Sequence, residues 1–576
     1  MAKLAEHAEE QQRIAIAEPA PTYIPACPGA GKTHVITSRH LTSPKQLLRG
    51  GRALISFTRV ARDQMAKRCL AAGRTDLTQA PHFIGTLDSF LWEFLVRPKA
   101  SSEPVPRLLD SWARVKAPIE QVDVALELSR FPLTIEIQQK LPVDAIAWDA
   151  LDYDTSRLFA ESQLSRRWWQ KRVLAARNIW WWQGYHTGHE ARIRALKNLQ
   201  QDQAETLLAP LRSRFSEIIV DEAQDCSAAD LAILERLHDA GLPIILVADP
   251  DQAIYSWRGA DPTSLHRLTG KLTASPVPLT GNRRSTPTIC RLANTLRAGN
   301  RAPDTAVIRQ DDIPVGLLPI EFATSGGKHR HSPSGANATD VFLKQAAILG
   351  ISPAESLVTT FRHAHLPARR REPRNSNAIT ALAWAHAAIH SPDVSVPDLI
   401  RATTIGGRAL LSYWFPDTQG SIERVCNAHN LPAEKLNRSA YAFLHSLPQP
   451  HQDWAKDVWR ATKTWPAPAG AAPAQGKGRL AGRPTIARKT TAGSGVRTAV
   501  IHQIKGDEAD AVLVLLPQEN SVQRWIDGNP STDETLRVWY VAVTRARRLL
   551  VLGTRAEETQ AFADHLTTHQ IPHKIL

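Results

Sequence analysis

The chain has 576 residues, about four domain-sized pieces at roughly 150 residues per domain. Hydrophobic residues make up 43% and charged residues 22%, a globular balance that excludes a disordered or fibrous chain. Lys and Arg number 70 against 56 Asp and Glu, a net charge of +14, which favours a polyanionic partner, nucleic acid first.

The opening stretch MAKLAEHAEEQQR reads as a charged helix without the apolar centre of a signal peptide. No apolar run approaches the length of a membrane span. The expectation is a cytoplasmic protein with no membrane partner. Cys27, Cys69, Cys226, Cys290 and Cys426 are dispersed and form no C-x-x-C pair. A disulfide framework, a zinc site and an iron–sulfur cluster lose support, and buried free thiols are expected.

The first informative element is the apolar run Tyr23–Ala26, followed by Ala26-Cys27-Pro28-Gly29-Ala30-Gly31-Lys32-Thr33 and the helical run His34–His40. This satisfies G-x-x-x-x-G-K-[ST] except that Ala26 takes the first glycine position. The loop Pro28, Gly29, Ala30 and Gly31 can wrap phosphates with backbone N–H groups at a helix N-terminus. Lys32 would neutralise the β/γ oxygens and Thr33 would ligate Mg²⁺, so ATP is the expected cofactor.

Further on, Ala53–Phe57, Glu217–Val220, Pro243–Ala248, Ala499–His502, Ala511–Leu516 and Leu549–Leu552 read as buried parallel strands, each followed by a polar or glycine-containing turn. Helical patterns lie between them, the alternation of an α/β fold. Residues from about 91 to 205 and from about 366 to 494 carry no strand signal and read as helices. Ser325–Ala338 and Pro466–Gly495 are rich in Gly, Ser, Pro and basic residues and are expected to be loose, the second as a mobile linker. After the strand Glu217–Val220 comes Asp221-Glu222-Ala223-Gln224-Asp225. Behind a phosphate loop, Asp221 would hold Mg²⁺ and Glu222 would polarise the attacking water.

With these residues in place, the chain resembles a superfamily 1 helicase of the UvrD/Rep/PcrA type. The resemblance is an ordered series of motifs. Gln12-Arg13 resembles the adenine-reading Q motif, and Ile55–Ala61 resembles motif Ia. Phe83–Phe90 resembles the G-T-x-H-S-F element, with Asp88 in place of His. Asp221–Asp225 is motif II, and Ala248–Ala260 is close to motif III. Leu279–Ser285 resembles motif IV, Ile501–Glu508 motif V and Tyr540–Ala546 motif VI. The resemblance implies two RecA-like P-loop NTPase lobes with parallel sheets, each carrying a mainly helical insertion. The lobes are expected at 1–90 and 206–278, and at 279–365 and 495–576. The insertions are expected at 91–205 and 366–494.

The resemblance also implies roles. Gln252 would sense the γ-phosphate, and Arg284 and Arg545 would reach it as arginine fingers from the second lobe. Gln12, Arg13 and Glu508 would contact the nucleoside part. Arg283 stands where the family usually has a tyrosine stacked on adenine, and a guanidinium can also stack on a base. Val500 stands where a threonine is common.

A motor grips a strand without reading its sequence by combining stacking platforms with phosphate contacts. Tyr255, Trp257 and Arg258 form one such set. Phe57, Thr58 and Arg59 form another, and Thr86, Ser89 and His502 can bond phosphates. The segment Arg166–Trp182 interleaves basic residues with five tryptophans. It reads equally as a duplex or partner surface and as the core of a small domain.

The leading reading is an ATP-dependent DNA helicase that translocates 3′→5′ on single-stranded DNA and acts at single-strand/duplex junctions. The alternative is a DNA-stimulated motor or end-sensing subunit working with a nuclease, repair or defence partner. A non-catalytic DNA-binding relic is disfavoured by the intact Lys32, Asp221, Glu222, Gln252, Arg284 and Arg545.

Overall fold

In the computed structural model, five apolar runs of the first half pair side by side. They are β1 (Thr22–Pro25), β2 (Gly51–Ser56), β3 (Phe83–Thr86), β4 (Phe215–Val220) and β5 (Ile244–Ala248). Their order is β1-β5-β4-β2-β3, and every pairing is parallel. The structure describes residues 2–45, 47–99, 104, 106–109, 116–119, 122–128, 131–138, 141–148, 151, 153–200, 204–254, 260–273, 275–299, 301–321, 334–361, 366, 378–390, 396–418, 422–451, 453–475 and 496–576.

Successive side chains of a strand point to opposite faces, and this sheet is apolar on both. Ala53, Ile55, Ile218, Val220, Ile244 and Leu246 enter one core. Leu54, Ile219, Ile245 and Val247 enter another on the opposite face. That double burial is why the strands read as continuous apolar runs. The register Val220↔Leu246 and Pro25↔Ala248 brings the carboxyl ends of β1, β4 and β5 together. Ala26, Asp221 and Asp249 follow directly.

A second sheet is built from β6 (Val315–Ile320), β7 (Ser356–Thr360), β8 (Arg497–Val500), β9 (Ala509–Leu515), β10 (Ala546–Arg555) and β11 (His573–Ile575). Its order is β8-β7-β9-β10-β6-β11. The pairs β7–β9, β9–β10, β10–β6 and β6–β11 are parallel. Trp525 and Trp539 stack in its core with ring centroids 5.7 Å apart.

The chain divides into two compact units. The first holds both sheets, apart from Arg497 and Thr498 of β8, and comprises Met1–Thr324, Val341–His365 and Ala499–Leu576. The second comprises Ser325–Asp340 and Leu366–Thr498. Helices Ala378–Ile389, Val396–Trp414, Ala433–Ser446 and Trp454–Thr464 in the second unit close on a core that includes Trp384, Trp414, Phe443 and Trp454.

Three expectations need correction. Residues 91–205 are not purely helical. Among them are the strands Lys116–Ile119, Val122–Glu127, Leu133–Gln138 and Leu141–Ile146, paired as two antiparallel ladders. Part of Ser325–Ala338 is ordered, because a helix starts at Ser334; residues 322–333 lie outside the described residues. The start of the expected mobile linker is docked. Ala472 N donates to Trp414 O at 2.9 Å and Ala474 N to Tyr413 O at 2.8 Å, and residues 476–495 lie outside the described residues.

All five cysteines are buried and free. Among the described residues no helix is long and apolar enough to cross a membrane.

Candidate nucleotide site

The loop after β1 turns back because Gly29 and Gly31 take φ of 73° and 85°, values that favour glycine. Helix Lys32–Leu41 then starts at Lys32. The loop is pinned from several sides. Ala26 N donates to Ala248 O at 2.9 Å, Cys27 N to Leu279 O at 2.9 Å, and Arg283 N to Gly29 O at 3.0 Å. Gln12 Nε2 donates to Ala30 O at 2.7 Å. There is no room for larger residues. A Cβ on Gly29 would lie 2.6 Å from Arg284 Cβ, and one on Gly31 would lie 2.7 Å from Gln12 Nε2.

Around this loop stand three cations and a set of buried carboxylates. Lys32 Nζ lies 3.9 Å from Glu222 Oε1. Asp221 N donates to Ile55 O at 2.8 Å, and Asp221 Oδ1 accepts from Glu222 N at 3.0 Å. Glu222 takes a left-handed φ of 55°, rare for a residue with a side chain. Gln224 Nε2 donates to its carboxylate, and Gln224 Oε1 accepts from Asp249 N at 3.0 Å. Gln252 Nε2 donates to Asp249 Oδ2 at 2.9 Å.

The second-sheet residues meet this cluster. Arg545 Nη2 donates to Gln252 Oε1 at 3.2 Å, and Arg545 Nε to Val541 O at 2.9 Å. Arg284 Nε donates to Glu508 Oε2 at 2.6 Å, and Arg284 Nη1 to Thr544 O at 3.1 Å. Lys505 Nζ donates to Asp225 Oδ1 at 2.5 Å and to Gln252 O at 2.9 Å.

The electrostatics follow from burial and these neighbours. Burial disfavours the Lys32 ammonium, but Glu222, Asp249 and Asp221 outweigh it and hold its pKa above the usual lysine value. Burial, then the Glu222 charge, push the Asp221 carboxyl up. Burial also works against ionised Glu222, yet Lys32 and Lys505 hold it below the usual carboxylate range. Burial and the neighbouring Arg284 pull the Arg545 guanidinium down to about 9. Two guanidinium groups and an ammonium converging in a buried site are what a polyphosphate would neutralise. Asp221 and Thr33 have the oxygen chemistry that Mg²⁺ requires. The donor set therefore fits a Mg²⁺–nucleoside triphosphate. Among the described residues no group of three or more His, Cys, Asp or Glu is arranged to hold a metal by itself.

Most sequence-predicted residues converge here: Gln12, Pro28, Gly29, Ala30, Gly31, Lys32, Thr33, Asp221, Glu222, Gln252, Arg283, Arg284, Arg545 and Glu508. Arg13 does not. Its side chain is 74% exposed and paired with Glu10 one helical turn away. Glu508 is taken up by Arg284 and Arg547. Arg283 lies 4.0 Å from Glu9.

Sequence reasoning missed Gln11, which locks onto Thr280 through both amide atoms. It also missed Asn282, whose Oδ1 accepts from Arg284 N at 2.7 Å, and the carboxylate of Asp249. Both lie inside motifs that were quoted, so motif membership was the available signal.

Of the predicted strand contacts, Thr58 and Arg59 are exposed at the start of helix Arg59–Ala71, beside half-buried Phe57. Thr58 Oγ1 caps that helix by accepting from Ala61 N at 3.1 Å. Thr86 Oγ1 donates to Ser89 Oγ at 3.0 Å. The His502 ring meets Phe361 edge-on at 5.7 Å, and burial lowers its pKa. Tyr255, Trp257 and Arg258 lie outside the described residues. In helix Arg166–Trp182, Trp169 is buried against Phe131 with ring centroids 5.5 Å apart, so it packs, whereas Trp182 is 79% exposed.

The chain is similar to known proteins. Residues 8–273 match the model of the UvrD/REP helicase N-terminal domain. A stretch of 66 residues is 42% identical to the RecBCD enzyme subunit RecB of Borreliella burgdorferi, covering 12% of this chain and 6% of that one. A stretch of 95 residues is 36% identical to DNA helicase II of Escherichia coli, covering 16% and 13%. A stretch of 114 residues is 33% identical to the ATP-dependent DNA helicase PcrA of Bacillus subtilis, covering 19% and 15%. The matched stretches thus span a small part of these relatives. Through residues 8–273 the chain is thus similar to the UvrD/REP helicase N-terminal domain.

Proposed function

We propose that the chain is an ATP-dependent DNA helicase that moves along single-stranded DNA in the 3′→5′ direction and couples ATP hydrolysis to strand separation. The supporting observation is the meeting of Arg545 and Gln252 beside Lys32 and Glu222. Hydrolysis control from one sheet and charge neutralisation from the other converge on one loop. In this reading the two parallel sheets are RecA-like lobes, with insertions at 91–205 and 366–494.

Bound ATP with Mg²⁺ supplies the phosphoanhydride whose hydrolysis drives the cycle. The protein's share is positioning and electrostatics. Lys32 and the loop Pro28–Gly31 bind the phosphates, and Thr33 and Asp221 hold the metal. Glu222 orients water and accepts its proton at a carboxylate oxygen. Arg284 and Arg545 neutralise charge that develops on the phosphoryl oxygens. Gln252 ties Arg545 to Asp249, so closure at the site moves both sheets together. Phe57, Thr58, Arg59, Thr86, Ser89, Tyr255, Trp257, Arg258 and His502 would carry the strand.

A second reading is favoured by one observation, the similarity to a protein named as an enzyme subunit. In it the chain is a DNA-stimulated motor or end sensor working beside a nuclease, repair or defence partner. Strand displacement on duplexes with 3′ or 5′ tails tests the choice. The helicase reading expects ATP-dependent displacement from the 3′ tail. DNA-stimulated hydrolysis with no displacement from either tail would favour the second reading.

A further inference from the structure

Arg192 lies between β3 and β4 in sequence, on helix Gly188–Asn198. Its side chain is 18% exposed and serves two carboxylates at once. Nη1 donates to Asp88 Oδ1 at 2.7 Å, and Nε to Asp230 Oδ1 at 2.7 Å. Nη1 also donates to Gly188 O at 2.9 Å. The two carboxylates pull the guanidinium above its ordinary pKa against burial.

The two partners belong to different parts of the machinery. Asp88 sits in the short helix Leu87–Phe90, which Thr86 caps by accepting from Ser89 N. Asp230 lies in the first turn of helix Ala228–Asp239, five residues after Asp225. Its other oxygen, Oδ2, accepts from Ser227 N at 2.9 Å and from Ser227 Oγ at 2.7 Å. One guanidinium therefore joins the Thr86–Ser89 turn to the segment that leaves the Asp221–Asp225 carboxylates. A planar, bifurcated donor can hold two anions in fixed relative positions, which a point charge cannot.

We propose that Arg192 is a positioning residue that couples occupancy of the Thr86–Ser89 turn by a DNA strand to hydrolysis at Asp221–Glu222. The proposal rests on the functional reading above. A strand phosphate drawn to Thr86 and Ser89 shifts the Leu87–Phe90 turn, and the Asp88–Arg192–Asp230 chain carries that shift to the start of helix Ala228–Asp239. Because Arg192 bonds to neither Thr86 nor Ser89, and to neither Asp221 nor Glu222, its removal lowers the coupling and leaves each site able to bind.

The test compares ATP hydrolysis by the full chain, with and without oligo(dT), in wild type, Asp88→Asn and Arg192→Met. Asp88 is half-exposed, so Asp88→Asn takes the charge out of this link and weakens it, while Asp230 keeps its Arg192 partner and the fold its core. The expected result for Asp88→Asn is a stimulation ratio reduced about 5-fold or more. Arg192→Met, checked for folding by thermal melting, is expected to hold DNA-free hydrolysis within about 2-fold while losing as much stimulation. The loss should fall on kcat at saturating DNA, with KM for ATP and the DNA concentration for half-stimulation little changed. The double variant should lose no more than either single one. An unchanged ratio in Asp88→Asn, with wild type stimulated normally, would overturn the coupling role alone. Equal losses with and without DNA in the folded variants would also overturn it, because they would mark Arg192 as structural. No stimulation of wild type by DNA would overturn both this proposal and the functional reading beneath it.

Discussion

Arg545, which leads into β10 of the second sheet, donates to Gln252, which follows β5 of the first, across 3.2 Å, although 293 positions separate them in sequence. Arg545 is 2% exposed and Gln252 3%, so the contact is dry on both sides. Gln252 in turn donates to Asp249, and Asp249 accepts from Tyr540 at 3.4 Å. The phosphate loop is therefore framed by groups whose positions depend on how the two sheets meet.

Arg545→Lys should hydrolyse ATP about a thousandfold more slowly or worse, the range known for arginine fingers. Lysine keeps a positive charge but cannot hold Gln252, Val541 O and a phosphoryl oxygen in one plane. Nucleotide binding should be retained, because Lys32 and the loop are untouched. Single-turnover hydrolysis beside equilibrium binding of a fluorescent ATP analogue checks both parts.

Glu217→Ala should destabilise the first sheet by about 3–5 kcal/mol. Arg39 grips this buried carboxylate with Nε–Oε1 at 2.8 Å and Nη2–Oε2 at 2.6 Å, and Arg52 Nε adds a contact at 2.5 Å. Without it, Arg39 remains buried and loses its counter-ion. Urea denaturation followed by circular dichroism reads the loss directly.

Trp169→Ala and Trp182→Ala should separate packing from surface in the tryptophan-rich helix. Trp169 is 1% exposed, and its Nε1 donates to Ser162 Oγ at 3.0 Å. Its truncation should cost about 3–5 kcal/mol. Trp182 is 79% exposed, and its truncation should stay within about 0.5 kcal/mol. Melting temperatures of the two variants provide the comparison.

The legible parts of the fold were those in which burial on both faces writes an apolar run, as in β5, Ile218–Val220 of β4 and Ala511–Leu515 of β9. Strand β7 was not legible because its sequence is SLVTT. Ser356, Thr359 and Thr360 are all fully buried, and Thr360 Oγ1 satisfies itself on Leu515 O at 3.1 Å. A buried β-branched hydroxyl looks polar to any reading that counts apolar residues. The ladders within 91–205 escaped for a related reason. Val122–Glu127 reads VDVALE, an alternation too short to tell from a helix turn.

At the site, residues inside contiguous motifs were legible, because strand–loop–helix spacing fixes them locally. Gln11 and its partner Thr280 lie 269 positions apart, and no local pattern announces such a pair. Arg13 was misplaced for the opposite reason. It neighbours Gln12 in sequence but points to another side of the helix, where Glu10 is available.

In the proposed function this site hydrolyses ATP in response to single-stranded DNA, with Glu222 orienting the water. Steady-state hydrolysis by wild type and Glu222→Gln, each with and without oligo(dT), tests it most directly. Wild type should be strongly stimulated by oligo(dT). Glu222→Gln should lose about two to four powers of ten in turnover, the usual share of a positioned base, and bind ATP as wild type does. Wild-type turnover in Glu222→Gln, or hydrolysis indifferent to DNA in wild type, would contradict it.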